Sequence, residues 1–147
     1  MRTSYPITPA KPTWYLVDAN GKTLGRLAAR IAAVLRGKHR RDFSPHLLQS
    51  EHIIVTNAAG IVLKGTKSAE KVYFRHSGYF GHLKRTPVSR LLAEHPEQVI
   101  LHAVKGMLPR SSQRPRMLKF LHIFPGKDHS HAAQQPQPLE SLFPPRA

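Results

Sequence analysis

Residues 14–35 read WYLVDANGKTLGRLAARIAAVL, and this pattern predicts a strand, a tight turn and a helix. Trp14 to Val17 is aromatic and apolar, as expected of a buried strand, and the pair Asn20-Gly21 is typical of a turn. A second apolar run, His52 to Thr56, is too short for a helix and favours a central strand covered on both faces. The two runs and the helix between them predict a strand, helix, strand unit.

The predicted helix has clear boundaries and one apolar side. Thr23 is placed to cap its start, and Gly37 is placed to stop it. Arg26 and Arg30 fall on the side away from the apolar stripe. The stripe consists of Leu24, Leu27, Ala28, Ile31 and Leu35.

The rest of the chain continues the alternation of strands and helices. Ile61 to Tyr79 is typical of a hairpin or an extended arm, helices start at Thr86-Pro87 and at Pro96, and Phe120 to Phe124 favours a last strand. We therefore predict the α/β class with a mostly parallel sheet in a single domain spanning residues 1–147. The globular body occupies about 14–126, and 127–147 form an extended tail that lies on a partner.

The charge of the chain points to a polyanionic partner. The 147 residues include 23 Lys and Arg against 8 Asp and Glu, a formal net charge of +15 with the 10 His neutral. Such a charge destabilises the compact state unless a polyanion neutralises it, and nucleic acid is the commonest one. A membrane is not predicted as a partner, because no apolar run approaches the ~20 residues of a spanning helix. The absence of Cys excludes disulfides and thiolate metal sites.

Three motifs suggest catalysis or a cofactor, but each lacks a further residue that such a site requires. Gly21-Lys22-Thr23 resembles the end of a phosphate-binding loop, but the Gly required five positions earlier is Leu16. His129 and His131 are spaced like metal ligands without a third ligand placed by the sequence. His76-Ser77 has no orienting acid for a nucleophile and base. We predict no enzyme activity, no metal and no cofactor.

The distribution of the cations favours folded RNA over a DNA groove, because they fall on loops and tails and not on one recognition helix. Aromatic residues near Arg75 and His76, from Tyr73 to Phe80, either stack on unpaired bases or pack an arm against the core; the sequence leaves both open. From the charge pattern and these segments, the candidate RNA-binding residues include Arg36, Arg40, Arg41, Lys84, Arg85, Arg110, Arg114, Arg116, Lys127, His129 and His131.

Several long motifs resemble the bacterial form of the thirteenth large-subunit ribosomal protein. The resemblance runs from about Trp14 to Pro138, and motifs of this length in this order are highly specific. They are WYLVD at 14–18, GKTLGRLA at 21–28, LRGK at 35–38, YFRHSGY at 73–79, VKGMLP at 104–109 and HAAQQP at 131–136.

The resemblance implies a three-layer α/β/α fold around a four-stranded, mostly parallel sheet. It implies a non-enzymatic protein that binds large-subunit ribosomal RNA during assembly, beside neighbouring ribosomal proteins, in a bacterial cytoplasm or an organelle. A regulatory binder of messenger RNA and a basic nucleic-acid enzyme are the alternatives. The residues that the family pattern assigns to RNA are Lys22, Arg26, Lys38, Arg75, His76, Ser77, Lys105 and the segment after Gly126.

The sequence departs from the family pattern in three places. Arg114-Pro115 replaces the usual Gly-Arg, Ser130 replaces a Pro, and Leu47 to His52 lacks the usual acidic turn. A proline at 115 breaks a helix unless it lies in the first turn. The local structure of 110–119 is therefore left open by the sequence.

Overall fold

The computed structural model describes residues 12–143. Strands and helices alternate in the first part of the described chain, as the sequence predicts, whereas a pair of strands and then three helices follow one another directly further along. Their bounds are β1 (Thr13–Asp18), α1 (Leu24–Leu35), β2 (Glu51–Thr56), α2 (Lys67–Glu70), β3 (Val72–His76), β4 (Leu83–Pro87), α3 (Val88–Glu94), α4 (Pro96–Met107), α5 (Arg114–Leu118), β5 (Leu121–Ile123) and β6 (Gln137–Pro138), with short 3-10 helices at Ala58–Gly60, Ala132–Gln134 and Leu139–Leu142.

The main sheet has four strands in the order β5-β2-β1-β6, and its neighbouring strands pair in parallel. β1 and β2 are the central strands, and their register places Trp14 opposite His52 and Val17 opposite Val55. The short strands β5 and β6 form the edges. This architecture confirms the predicted α/β class and the four-stranded, mostly parallel sheet.

Helix α1 forms where the sequence predicts it, and its whole apolar stripe is buried. Thr23 stands at the N-cap position, but its side chain makes no capping hydrogen bond among the described residues. The Leu24 N–H instead donates to the Val62 carbonyl at 3.0 Å, so a neighbouring segment satisfies the first turn. At the other end Gly37 has φ +78°, and the N–H groups of Gly37 and Lys38 close the helix on Val34 and Ala33.

The two faces of the sheet are covered differently. Tyr15, Val17, Ile53 and Val55 belong to the core that α1, α3 and α4 share, so helices cover this face. The alternate residues Trp14 and His52 point to the other face. There, in the described part of the chain, their rings meet the segment that follows β5 and leads to the 3-10 helix Ala132–Gln134.

Three sequence predictions need correction. Phe120 to Phe124 contains β5 but is not the last strand, because Gln137 and Pro138 pair with β1 beyond it. The third helix begins at Val88 and not at Pro87, since Thr86 and Pro87 still pair with β3. The hairpin is formed by β3 and β4, whereas Val62 makes an isolated bridge to Thr23.

Part of the predicted tail belongs to the fold. β6 completes the sheet, and Leu139 directly after it is 1% exposed and packs in the core. Gly126 is therefore not where the sheet ends. The separate helix α5 also answers the question left at Pro115: the proline lies in the first turn, where it breaks no hydrogen bond.

Candidate nucleic-acid interface

The C-terminal end of α4 is the meeting point of three open grooves. The largest, about 760 Å³, runs between the start of α1 and α4 and is lined by Gly106 and Met107. A second groove of about 270 Å³ shares Gly106, and a third of about 340 Å³ shares Met107. Because glycine carries no side chain, Gly106 leaves the helix surface open where the first two grooves join.

The charged side chains that line these grooves are nearly all cations, and Glu70 is the one carboxylate among the lining residues. We call this set the α4 cationic surface. It brings together cations from four separate segments of the chain, and six of its nine members are predicted from the sequence. Its members are Arg26, Arg36, Lys38, Lys64, Lys67, Lys71, Lys105, Arg110 and Arg114.

The surface extends past the start of α1. Arg26 also lines a neighbouring groove with Lys22 and Arg30, where the Lys22 ammonium bonds the Glu140 carboxylate. Both groups of that ion pair are solvent-accessible, so it contributes little to stability. Breaking this pair to free the Lys22 ammonium therefore costs little.

Arg114 and Arg40 are held by the protein itself. The Arg114 guanidinium donates to the carbonyls of Pro109 at 2.9 Å and Leu108 at 3.2 Å, and thereby holds the segment that directly follows α4. The Arg40 guanidinium donates to the Glu51 carboxylate at 2.8 Å. These contacts give both residues a structural role that the sequence did not predict.

The remaining predicted cations are accessible. Arg41, Arg116 and Lys127 are exposed, and Arg36, already placed in the α4 cationic surface, is half-buried with its guanidinium 5.7 Å from the centroid of the Phe43 ring. Arg41, Arg116 and Lys127 line none of the three grooves.

The β3–β4 hairpin gathers a second group of predicted residues. Arg75, Ser77 and Lys84 line a pocket of about 180 Å³ together with His82. The imidazole of His76 is turned inward to the loop, where its Nδ1 accepts the Gly78 N–H at 2.9 Å. His76 therefore shapes the hairpin loop.

The structure divides the aromatic residues whose role the sequence left open. Tyr73 packs against the body, its ring 5.2 Å from the ring of His102. Phe74, Tyr79 and Phe80 are instead exposed, Phe80 by 94%. The Arg85 guanidinium lies 5.9 Å from the Phe74 ring, so Phe74 has a cationic neighbour.

Two backbone N–H groups of Gly21-Lys22-Thr23 are already hydrogen-bonded within the protein. The Gly21 N–H donates to Gly60 and the Lys22 N–H to Ala19, at 3.0 and 3.1 Å. A phosphate-binding loop needs such N–H groups free, so the tight-turn interpretation is supported.

Within residues 12–143 no group of three or more His, Asp or Glu is arranged to hold a metal. None of the helices in these residues has the length and apolar content that spanning a membrane requires.

Comparison with known proteins identifies the family. The family described as ribosomal protein L13 matches residues 12–130. The chain belongs to the ribosomal protein L13 family. Large ribosomal subunit protein uL13 of Thermus thermophilus is 49% identical over 140 residues, which cover 95% of this chain and 99% of that protein. The corresponding proteins of Psychrobacter sp. and Clostridioides difficile are 51% and 50% identical, over 90% and 92% of this chain and 94% and 96% of theirs. The resemblance noted in the sequence is thereby confirmed.

In this member of the L13 family, sequence reasoning missed three lysines of the α4 cationic surface. Lys64 precedes the single-turn helix α2, Lys67 is its first residue and Lys71 directly follows it, in a segment without clear periodicity. Spacings of three and four residues among these lysines were the available signal, since they place side chains on one side of a helical turn.

His131 belongs to a ring stack that covers the second face of the sheet, and His129 supports it through a hydrogen bond. The rings of Trp14 and His52 lie 4.1 Å apart and nearly parallel, and His131 lies 5.0 Å from Trp14 and 4.6 Å from His122. The Nδ1 atom of His129 accepts the His131 N–H at 3.3 Å. This arrangement ties the segment before β6 to the sheet.

We expect the ring stack to make stability depend on pH. Burial lowers the pKa of His52 and His122, and nearby His131 lowers both further. The unfolded chain then binds protons at these imidazoles more readily, so their contribution is complete above about pH 6.5 and is lost as pH falls through the folded-state pKa. Chemical denaturation at pH 7.5 and 5.5 measures the loss, which His122→Phe should reduce.

Protonation of the carboxylates does not explain a loss of stability between pH 7.5 and 5.5. The pKa values of Asp18 and Glu140 are lowered by hydrogen bonds, chiefly from the Asn20 N–H and from the Lys22 side chain, so their contributions disappear only below about pH 4. His82→Phe, a change at an exposed imidazole, is the control. An unaltered pH dependence in His122→Phe would contradict the assignment to the stack.

Proposed function

We propose that this chain is a structural constituent of the large ribosomal subunit that binds and stabilises large-subunit ribosomal RNA, and so supports subunit assembly and translation. The observation that carries the proposal is the α4 cationic surface, where cations from four segments surround grooves with one carboxylate among their lining residues. The chain belongs to the L13 family, whose relatives are named large ribosomal subunit proteins, and this membership supports the assignment to the large subunit.

The mechanism is electrostatic. Arg26 and Lys105 project from the rigid helices α1 and α4, so folding fixes their spacing before RNA arrives. Each phosphate that such a cation neutralises releases condensed counterions, which makes affinity fall with salt. Phosphate contacts set position and carry no base information, so the shape of the RNA fold supplies the specificity.

The same surface allows RNA strands to approach one another. Phosphates from two helices repel across a gap, and a body that carries +15 between them lowers that repulsion. The partners proposed are therefore large-subunit ribosomal RNA and the ribosomal proteins beside it, in the ribosomes of a bacterial cytoplasm or an organelle. Binding to a membrane is not part of the proposal.

Catalysis is not part of the proposed function. Asp18, the carboxylate at the end of β1, accepts hydrogen bonds from the Asn20 N–H at 3.0 Å and from Asn57 Nδ2 at 2.9 Å. These bonds join two turns and give Asp18 a structural task. Asp18→Asn should therefore leave RNA affinity nearly unchanged, whereas a nucleic-acid enzyme that used this acid would lose turnover.

The test is salt-dependent binding to transcribed large-subunit ribosomal RNA. We expect the double variant Lys105→Gln/Arg110→Gln to bind more weakly and to lower the slope of log affinity against log salt by about 2, or about 1 for each lost phosphate contact. The control is Arg90→Gln/Lys119→Gln, which removes the same charge from residues that line none of the three grooves. Filter binding at several salt concentrations measures both quantities.

Sedimentation of cell extract separates this function from regulation of messenger RNA. The tagged protein should sediment with the large subunit. Equal slopes for the two double variants would remove the α4 cationic surface as the interface, and sedimentation away from ribosomal particles would refute the proposed function.

A further inference from the structure

The tip of the β3–β4 hairpin exposes aromatic rings at a distance from the core. Phe80 is 94% exposed and Tyr79 is 70% exposed, and Leu83 beside them is 46% exposed. The α4 cationic surface does not include these residues. Large apolar side chains gathered on a projecting loop favour an interaction site, since a soluble chain gains nothing from exposing them together.

The loop that carries the rings has a defined shape. The His82 N–H donates to the Tyr79 carbonyl at 3.2 Å, which closes a turn with Phe80 and Gly81 at its centre. Gly81 has φ +74°, a conformation that the third residue of such a turn requires and that glycine adopts without strain. Before this turn, the Gly78 N–H donates to Nδ1 of the His76 side chain, and this bond fixes the conformation of the residues that lead into the tip.

The rings at the tip lie edge to face with one another. Tyr79 is T-shaped to Phe80 at 6.5 Å and to His82 at 5.3 Å between ring centroids. An edge-to-face pair covers one face of one ring and leaves the other faces open, in keeping with the high exposure of Tyr79 and Phe80, and nucleotide bases stack on such faces. Because the base of the hairpin is anchored by Tyr73 against His102, the tip projects from a fixed point.

The charge around the rings favours RNA over a protein partner. No acidic residue occurs between Glu70 and Glu94, while Arg75 and Lys84 line the pocket of about 180 Å³ behind the tip, with Ser77 as a further donor. An acceptor-rich anion fits this pocket, and the phosphate of a nucleotide whose base has stacked on a ring lies within the same short stretch of strand.

We propose that the hairpin tip is a stacking element for unpaired bases of folded large-subunit ribosomal RNA, with Tyr79 and Phe80 receiving the bases and Arg75 and Lys84 holding a phosphate of the same strand. This inference rests on the proposed function and adds a second contact with the RNA, one of different chemistry. The α4 cationic surface meets phosphates alone, whereas the tip selects places where bases are out of the helix.

The double variant Tyr79→Leu/Phe80→Leu tests the inference, because it keeps the charge and the apolar character and removes the rings. On transcribed large-subunit ribosomal RNA we expect affinity to fall about tenfold or more at every salt concentration, with an unchanged salt slope. The matched control is Phe74→Leu, the exposed ring beside Arg85, which should stay within about twofold of the wild type. Circular dichroism verifies that each variant is folded.

Other outcomes overturn the inference in distinguishable ways. If the wild type shows steep salt dependence and the double variant binds equally well, the tip is not an RNA contact and the proposed function stands. If the wild type shows no salt-sensitive binding, the proposed function fails and the tip with it. If the double variant binds RNA normally but leaves the large-subunit peak of a gradient, the rings contact a ribosomal protein.

Discussion

Arg40→Met lowers the free energy of unfolding by about 3–5 kcal/mol in our expectation, the range measured when one partner of a buried ion pair is removed. The Glu51 side chain is 2% exposed, and Arg40 Nη1 lies 2.8 Å from its Oε1. His39 Nε2 is 3.7 Å from the same oxygen, but burial lowers the pKa of His39 and favours its neutral form. Without Arg40 the Glu51 carboxylate therefore stays buried and uncompensated. Urea denaturation followed by circular dichroism measures the effect.

Two further variants isolate the cause. Arg41→Met makes the same change at an exposed neighbour and should alter stability by less than about 0.5 kcal/mol. Arg40→Met/Glu51→Met removes both charges and should recover most of the loss, because a pair replaced by apolar side chains is often neutral. A double variant as unstable as Arg40→Met would show that the buried charge is not the cause. Arg40 is accordingly a poor position at which to test RNA binding.

Leu139→Ala should destabilise the protein by about 2–5 kcal/mol, as for other large-to-small changes in a core. Leu139 is 1% exposed and lies next to β6, which supplies the edge of the main sheet beside β1. The alanine leaves a cavity beside α1 and β1. These rigid elements cannot move in to close it. Thermal and chemical unfolding measure the change.

The comparison variant for Leu139 is Leu83→Ala, which removes the same atoms at a position that is 46% exposed and should cost much less. Leu139→Met keeps the volume and should cost under about 1.5 kcal/mol. A wild-type stability for Leu139→Ala would mean that the segment after β6 lies outside the cooperative fold, as the sequence had placed it.

Two surfaces of different chemistry emerge from one chain. The α4 cationic surface is an arrangement of ammonium and guanidinium groups over open grooves, suited to phosphates from several directions. The hairpin tip offers rings and a small polar pocket, suited to one unpaired stretch. A protein that binds RNA through charge has a salt-sensitive affinity. If stacking on unpaired bases also positions it, the protein prefers one RNA fold.

The sequence by itself determined the elements whose signals are local. The apolar stripe of α1, the turn at Gly21 and the buried run of β2 follow from periodicity and from the conformational freedom of glycine, which neighbours along the chain specify. The net charge and the long family motifs likewise need no folding to be recognised, so the α/β class and the family could be predicted.

Tertiary structure alone decided how each charge and ring is used. Arg40 and Arg114 are indistinguishable in the sequence from exposed arginines such as Arg41, yet the Glu51 carboxylate and the backbone carbonyls just after α4 bind their guanidinium groups. The return of Gln137 and Pro138 to the sheet is a pairing between residues far apart in the chain, which no local pattern specifies. Burial and partnership depend on what the fold brings alongside a residue, and that information lies outside its own stretch of sequence.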